Sequence, residues 1–181
     1  ESEINRINFS SKDELALEKI NYDKNSIKNL NFDFNNLVIN KPWGYEYLFY
    51  SSKEISIWIL NIKKNQKTSM HCHPNKKTSL VLLDGEANFY SLNKKIHIKS
   101  GQCVIIDEKT FHKTSSEHNK DIIVMEIETP SNKNDLLRLE DSYNRPNAGY
   151  EKKEAFSKIN KINNYINYES VKDSNVYLGK C

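Results

Sequence analysis

The chain has 181 residues, a length that fits one domain with appendages and buries a core without covalent staples. Its net charge is only +3 with histidines neutral, and its lysines are scattered, so it lacks the basic stripe of a nucleic-acid binder while leaving anionic small molecules as partners. Cysteines at 72, 103 and 181 have no framework spacing, which argues against a disulfide scaffold and for a reducing, cytoplasmic setting. No apolar run reaches 18 residues and no signal peptide is visible, so no membrane association is expected.

Residues 1–40 are polar and rich in Asn, and read as an N-terminal arm. Within it Ser11 has the chemistry of a helix cap, which predicts a short helix over 11–20. The texture changes at "KPWGYE" (Lys41–Glu46). From Trp43 to Thr129 the chain is short β-branched and aromatic stretches. Strands are predicted at about 45–50, 55–63, 68–73, 78–84, 86–92, 94–99, 102–107, 111–116 and 121–129. Turn chemistry separates them at Asp84-Gly85, Asn93-Lys94 and Ser100-Gly101. Many short strands with no helix between them predict an all-β core, a sandwich or small barrel. Pro130 stops the last strand. "SNKNDLLRLEDSY" then offers Ser131 or Asn132 as a cap and Leu136, Leu137 and Leu139 as an apolar face, which predicts a helix. "NRPNAGYE" reads as a loop, 151–165 as a further helix, and the stretch from 166 as a loosely held tail.

The chemistry concentrates in "MHCHPNKKTSLVLLDG" (Met70–Gly85). His71 and His73 lie two apart on a predicted strand, so both face one side and Cys72 the other. Two imidazoles on one face can grip one metal ion. A third, His112 in "DEKTFHKT", lies where a barrel could bring it back to the pair. Cys72 and Cys103 read as small buried apolar residues.

These stretches resemble the cupin superfamily. Gln66–Gly85 resembles its first motif, with the HxH, a short loop, an apolar strand and a Gly turn; Gly101–Ser116 resembles its second, with His112 in the place of the histidine ligand. The resemblance implies a double-stranded β-helix, or jelly-roll barrel, over 41–129, with short flanking helices and a C-terminal helical extension and tail at 130–181. It implies a divalent metal in the barrel mouth: Zn, Fe, Mn or Ni. Two departures stand out. Thr78 occupies the position of the first motif's Glu, and Asp107 and Lys109 stand where the second motif has Pro and Gly. The implied ligand set is therefore His71, His73 and His112. "KPWGYE" further resembles the entry to the cupin domain of type II phosphomannose isomerases and their guanylyltransferase-fused relatives, where the cupin ends a longer chain. That resemblance implies a sugar phosphate or nucleotide sugar as substrate, isomerase- or epimerase-type proton transfer, and a homodimer.

Around the histidines, Lys41, Lys76, Lys77, Thr78, Arg138 and Arg145 are the candidates for binding an anionic substrate, the lysines as point charges at the rim and the arginines as bidentate forks. Glu126, Glu128 and Tyr90 are the candidates for moving a proton; the two glutamates share one face of a strand. Two other functions stay open at this stage. The missing acid at 78 suits a non-catalytic carbohydrate- or sugar-nucleotide-binding cupin, and three imidazoles with open positions suit an Fe(II) dioxygenase.

Overall fold

A computed structural model describes residues 4–20, 32–116, 119–145 and 150–158. Thirteen strands and one helix run in the order β1 (Ile4–Ile7), α1 (Ser11–Ile20), β2 (Leu37–Lys41), β3 (Gly44–Ser51), β4 (Ser56–Ile62), β5 (Met70–Cys72), β6 (Lys77–Asp84), β7 (Glu86–Ser91), β8 (Lys95–Lys99), β9 (Cys103–Ile106), β10 (His112–Ser115), β11 (Ile122–Thr129), β12 (Leu137–Glu140) and β13 (Phe156–Lys158). They form an eight-stranded sheet in the order β1-β9-β6-β11-β4-β3-β2-β13 and a five-stranded sheet in the order β12-β5-β10-β7-β8. This is the all-β cupin architecture that the motifs imply.

The core lies between the sheets, and alternation builds it. Along β11 every second residue is buried, giving Ile122, Val124, Glu126 and Glu128 in turn. Along β6 the buried set is Thr78, Leu80 and Leu82, and along β4 it includes Trp58, Leu60 and Ile62. The inner lining is thus apolar at one end and polar at the other. Phe89, Ile98, Val104 and Ile106 belong to the same core cluster, with Phe89 stacked on His112. Each such side chain, fully buried, contributes roughly 1.5–3 kcal/mol. The apolar end therefore supplies the stability, and the other end is left for chemistry.

The turn into β3 depends on one glycine. Gly44 has φ +149°, and a Cβ there would lie 2.0 Å from the Asn61 carbonyl oxygen. Trp43, just before it, is packed in the core.

Four predicted features take a different form. β1 pairs in parallel with β9, and β2 pairs with β3, so the sheet draws strands from the polar N-terminal stretch. The helix expected after Pro130 is instead β12, which pairs with β5. Leu137 then packs on Cys72, Met70 and Phe111, while Arg138 faces the other way, a two-residue period where the leucine spacing suggests a helical one. The helix expected at 151–165 begins as a single 3-10 turn, Lys153–Ala155, and passes into β13, which pairs with β2; 159–165 and the tail lie outside the described residues. Cys103 is half-buried, while Cys72 is fully buried.

Helix α1 forms over the predicted span, but its cap is Ser10 and not Ser11, which is the first helical residue: the Ser10 carbonyl accepts the Asp13 and Glu14 N–H groups. The helix lies on the outer face of the five-stranded sheet through Ala16, with Leu17 and Ile20 beside it. Asp13 carries two jobs: its carboxylate accepts the Ser10 backbone N–H at the helix start and, 2.8 Å away, the Phe111 N–H. That second bond ties α1 to the residue before His112. No helix among the described residues is long and apolar enough to cross a membrane.

Candidate metal centre and pocket

His71 lies in β5 and His73 just beyond it, while His112 opens β10, directly across from His71. The three ring centroids are 4.5–5.4 Å apart, and nitrogens from all three lie within 4.8 Å of one another. Each Nδ1 bonds a backbone carbonyl: His71 to Ser69 at 2.8 Å, His73 to Asp135 at 2.7 Å, His112 to Thr110 at 3.0 Å. With Nδ1 as donor, each Nε2 carries a lone pair. The Nε2 atoms of His73 and His112 are buried and have no hydrogen-bond partner among the described residues. Buried polar atoms are normally paired, so two orphaned imidazole nitrogens converging with a third fit a metal ion. Burial foremost holds all three imidazoles below the usual histidine range, His112 down to about 4. They are therefore neutral at pH 7, the state a metal needs.

Cys72 points to the opposite side, into the cluster beneath α1, and burial pushes its thiol far up, so it is not an activated thiol. Lys109, where the second motif has Gly, adopts φ +63° and donates its N–H to the His73 carbonyl at 2.8 Å. The left-handed conformation explains why that position favours Gly.

The imidazoles belong to the five-stranded sheet, and the acids face them from the eight-stranded one. Thr78 is buried, with no partner for its hydroxyl among the described residues. Its cross-strand neighbour is Glu128, and Leu80 pairs with Glu126. An acid is thus present on the inner wall, one strand over from the position where the resemblance places it. Carboxylate oxygens of Glu126 and Glu128 lie within 4.8 Å of a His73 nitrogen.

The two glutamates differ. Glu128 is fully engaged: Oε1 accepts from Lys76 at 2.7 Å and meets Lys133 at 3.5 Å, and Oε2 accepts from Ser56 at 3.1 Å. Burial alone would raise its pKa, but Lys133 and Lys76 more than reverse that, so it stays ionised. Both glutamates line the pocket, but Glu126 accepts only from Lys133 among the described residues, through Oε2 at 3.1 Å. Burial above all pushes its pKa up, further helped by Glu128, and Lys133 only partly offsets this.

The other candidates separate. Lys41, Arg138 and Arg145 line the same pocket as His71 and His73. Lys76 does not form a rim: it is 1% exposed and points inward to Glu128, while Lys77, one residue on, is exposed on the outer side. Strand alternation sends the two lysines to opposite faces. Tyr90 does not reach the pocket. It packs on the outer face of the five-stranded sheet, its ring taking the ammonium groups of Lys95 and Lys113 at 5.2 and 5.1 Å.

Several site residues were not evident from sequence. Lys133 lies between Glu46, Glu126 and Glu128 at 3.1–3.5 Å and sits 4.1 Å over the Trp58 ring. The Tyr150 hydroxyl donates to Glu46. Asp135, fully buried, accepts from the Asn75 backbone and side chain at 2.8 Å, fixing the loop behind His73. Lys133, Asp135 and Tyr150 all follow β11 in sequence, and Lys133 and Tyr150 line the pocket. The signal was the density of charge in "SNKNDLLRLEDSYNRPNAGYE", which reads as helix and loop when taken alone.

The family of mannose-6-phosphate isomerase C-terminal domains matches residues 31–141. The chain belongs to this family. The match spans more than half of the sequence and takes in all three histidines, both inner glutamates and β12. No curated protein matches in sequence. Among solved structures, an oxalate decarboxylase–formate complex from Lactobacillus farciminis is 18% identical with a TM-score of 0.52, covering 60% of this chain and 35% of that one. A mutant of oxalate decarboxylase from Bacillus subtilis is 16% identical with a TM-score of 0.51, covering 56% and 29%. The family member therefore spans about a third of those chains, and the likeness is one of fold. KdgF from Halomonas sp. is 12% identical with a TM-score of 0.48, covering 50% and 82%.

Proposed function

We propose that this cupin binds a divalent metal through His71, His73 and His112 and acts on a sugar phosphate by isomerase- or epimerase-type proton transfer. One observation carries the reading: the pocket lined by His71 and by His73, whose Nε2 has no partner among the described residues, also contains Glu126, whose pKa burial raises. A bound divalent ion supplies Lewis-acid polarisation of a carbonyl oxygen. Glu126 moves the proton. A carboxyl raised by burial suits exchange with carbon at neutral pH, whereas Glu128 is tied to Lys76 and Ser56 as an anion. Lys133 holds Glu126 in place and sets its charge balance. The cations of the pocket select an anionic substrate, and the family match, named for a sugar-phosphate isomerase, supports that class.

Incubating the metal-loaded protein with aldose and ketose phosphates in deuterated water tests this. Deuterium appearing at the carbon beside the carbonyl is the expected result; no exchange across a broad panel overturns the reading. Thr78 in place of an acid favours a second reading, a binding cupin without turnover. Sugar-nucleotide binding that survives replacement of His71 and His73 by Ala would select it. Iron-dependent oxygen uptake would select a dioxygenase instead.

A further inference from the structure

The cationic wall of the pocket converges on one oxygen. Glu151 Oε1 lies 3.2 Å from Lys41 Nζ, 3.4 Å from Arg138 Nη2 and 2.8 Å from Arg145 Nη1. These three cations come from the end of β2, from β12 beside His71, and from the segment after it. Their side chains are only 3–11% exposed. Glu151 itself belongs to none of the strands that form the mouth; it arrives from the C-terminal segment, just before the 3-10 turn. Burial would raise its pKa, yet Lys41, Arg145 and Arg138 together hold it below the usual carboxylate range.

Arg145 also grips Asp141, at 2.6 Å, and Lys41 lies 3.6 Å from Glu46, which is itself shared with Lys133 at 3.3 Å. Glu151 is thus the carboxylate that Lys41, Arg138 and Arg145 have in common. Glu151 Oε1 fills the position that these three cations share, so an external oxyanion reaches all three only after Glu151 moves. Glu151 has the chemistry of the incoming group, an oxyanion held by two guanidinium forks and an ammonium.

We propose that Lys41, Arg138 and Arg145 form a phosphate subsite and that the Glu151 carboxylate is its internal occupant, displaced when a phosphomonoester binds. The assignment deepens the sugar-phosphate reading and rests on it for the nature of the ligand, but it requires neither metal nor turnover. Glu151 thereby acts as a competitor carried by the chain itself. Its local concentration lowers the apparent affinity of any external anion.

The test is a titration of the metal-free protein with inorganic phosphate, followed by ¹H–¹⁵N spectra, in wild type, Glu151→Gln and the double variant Glu151→Gln/Arg145→Gln. Glu151→Gln is expected to bind phosphate at least about tenfold more tightly than wild type, and the double variant to lose that gain. Glu151→Asp, which keeps the charge but draws it back by one methylene, is expected to fall between, and carries the comparison if the Gln variant is poorly folded. A parallel titration with a hexose phosphate and the unphosphorylated hexose separates a phosphomonoester site from one for free phosphate: the hexose phosphate should bind at least as tightly as inorganic phosphate, and the hexose alone should not bind. Phosphate affinity unchanged on removing Glu151, or retained without Arg145, overturns the proposal and leaves a structural ion-pair network. Absence of deuterium exchange together with a phosphate gain in Glu151→Gln sinks the isomerase reading and leaves the subsite standing. The converse pair of results sinks the subsite alone.

Discussion

Replacing Lys76 by Met measures how dry the charged layer beneath the pocket is. Its ammonium lies 2.7 Å from Glu128 Oε1, and both side chains are 0% exposed. Without it, Glu128 keeps Ser56 and the Lys133 ammonium at 3.5 Å. Breaking a buried ion pair from one side costs about 3–5 kcal/mol, because the remaining charge is stranded. Lys133 remains in reach, so the lower end applies, about 3 kcal/mol, or roughly a hundredfold in the folding equilibrium. Urea unfolding of metal-free wild type and Lys76→Met, followed by circular dichroism at pH 7, reads this as a lower midpoint at equal slope. The pH dependence supplies a second readout. Glu128 has a depressed pKa in the fold, so its contribution is fully present above the ordinary carboxylate range near 4.3 and is lost as pH falls through that range toward the lower folded value. The gap between the two proteins should therefore narrow between about pH 5 and pH 3. A loss below about 1 kcal/mol, the range of an exposed pair, or a gap that ignores pH, would refute the burial of this pair.

Replacing His112 by Ala should weaken zinc or cobalt binding, measured by chelator competition, by more than the roughly 10–100-fold that follows loss of an orienting partner; His97→Ala, at an imidazole paired with Glu86, should leave it unchanged. The metal-free fold should lose stability as pH falls below about 6.5, because unfolded histidines take up protons that the buried ones refuse. His112 alone, held at about 4, accounts for roughly 3 kcal/mol between those values, and thermal melts at stepped pH should show the decline. Lys109→Gly should raise the unfolding midpoint by up to about 1 kcal/mol equivalent, since it relieves a left-handed backbone at φ +63°; no gain would mean that contacts of the Lys109 side chain offset the strain.

The barrel was legible because its strands are written in alternation. "IIVMEIET" places Ile122, Val124, Glu126 and Glu128 on one face, and the structure buries all four. His71, Cys72 and His73 were legible for the same reason. Arg138 reads from sequence as a candidate for binding an anionic substrate on a helix, because Leu136, Leu137 and Leu139 fit a helical stripe as well as a strand; pairing with β5 makes the segment a strand. The inward turn of Lys76 was not legible. Its partner lies 52 residues away, and nothing in "KK" shows which lysine meets it. The carboxylates Glu46 and Glu151 and the ammonium of Lys133 escaped for a related reason: each looks like an ordinary surface charge until the other sheet, or the segment after β11, is laid against it.

The pairing of Thr78 with Glu128 has a consequence for how such barrels can vary. The two residues are opposite ends of one rung, on adjacent rails of the same sheet, and both project inward. A negative charge at that height can be mounted on either rail without disturbing the imidazoles, which hang from the other sheet. The acid at this height is thus supplied by the neighbouring strand, and a search along one motif alone counts it as missing.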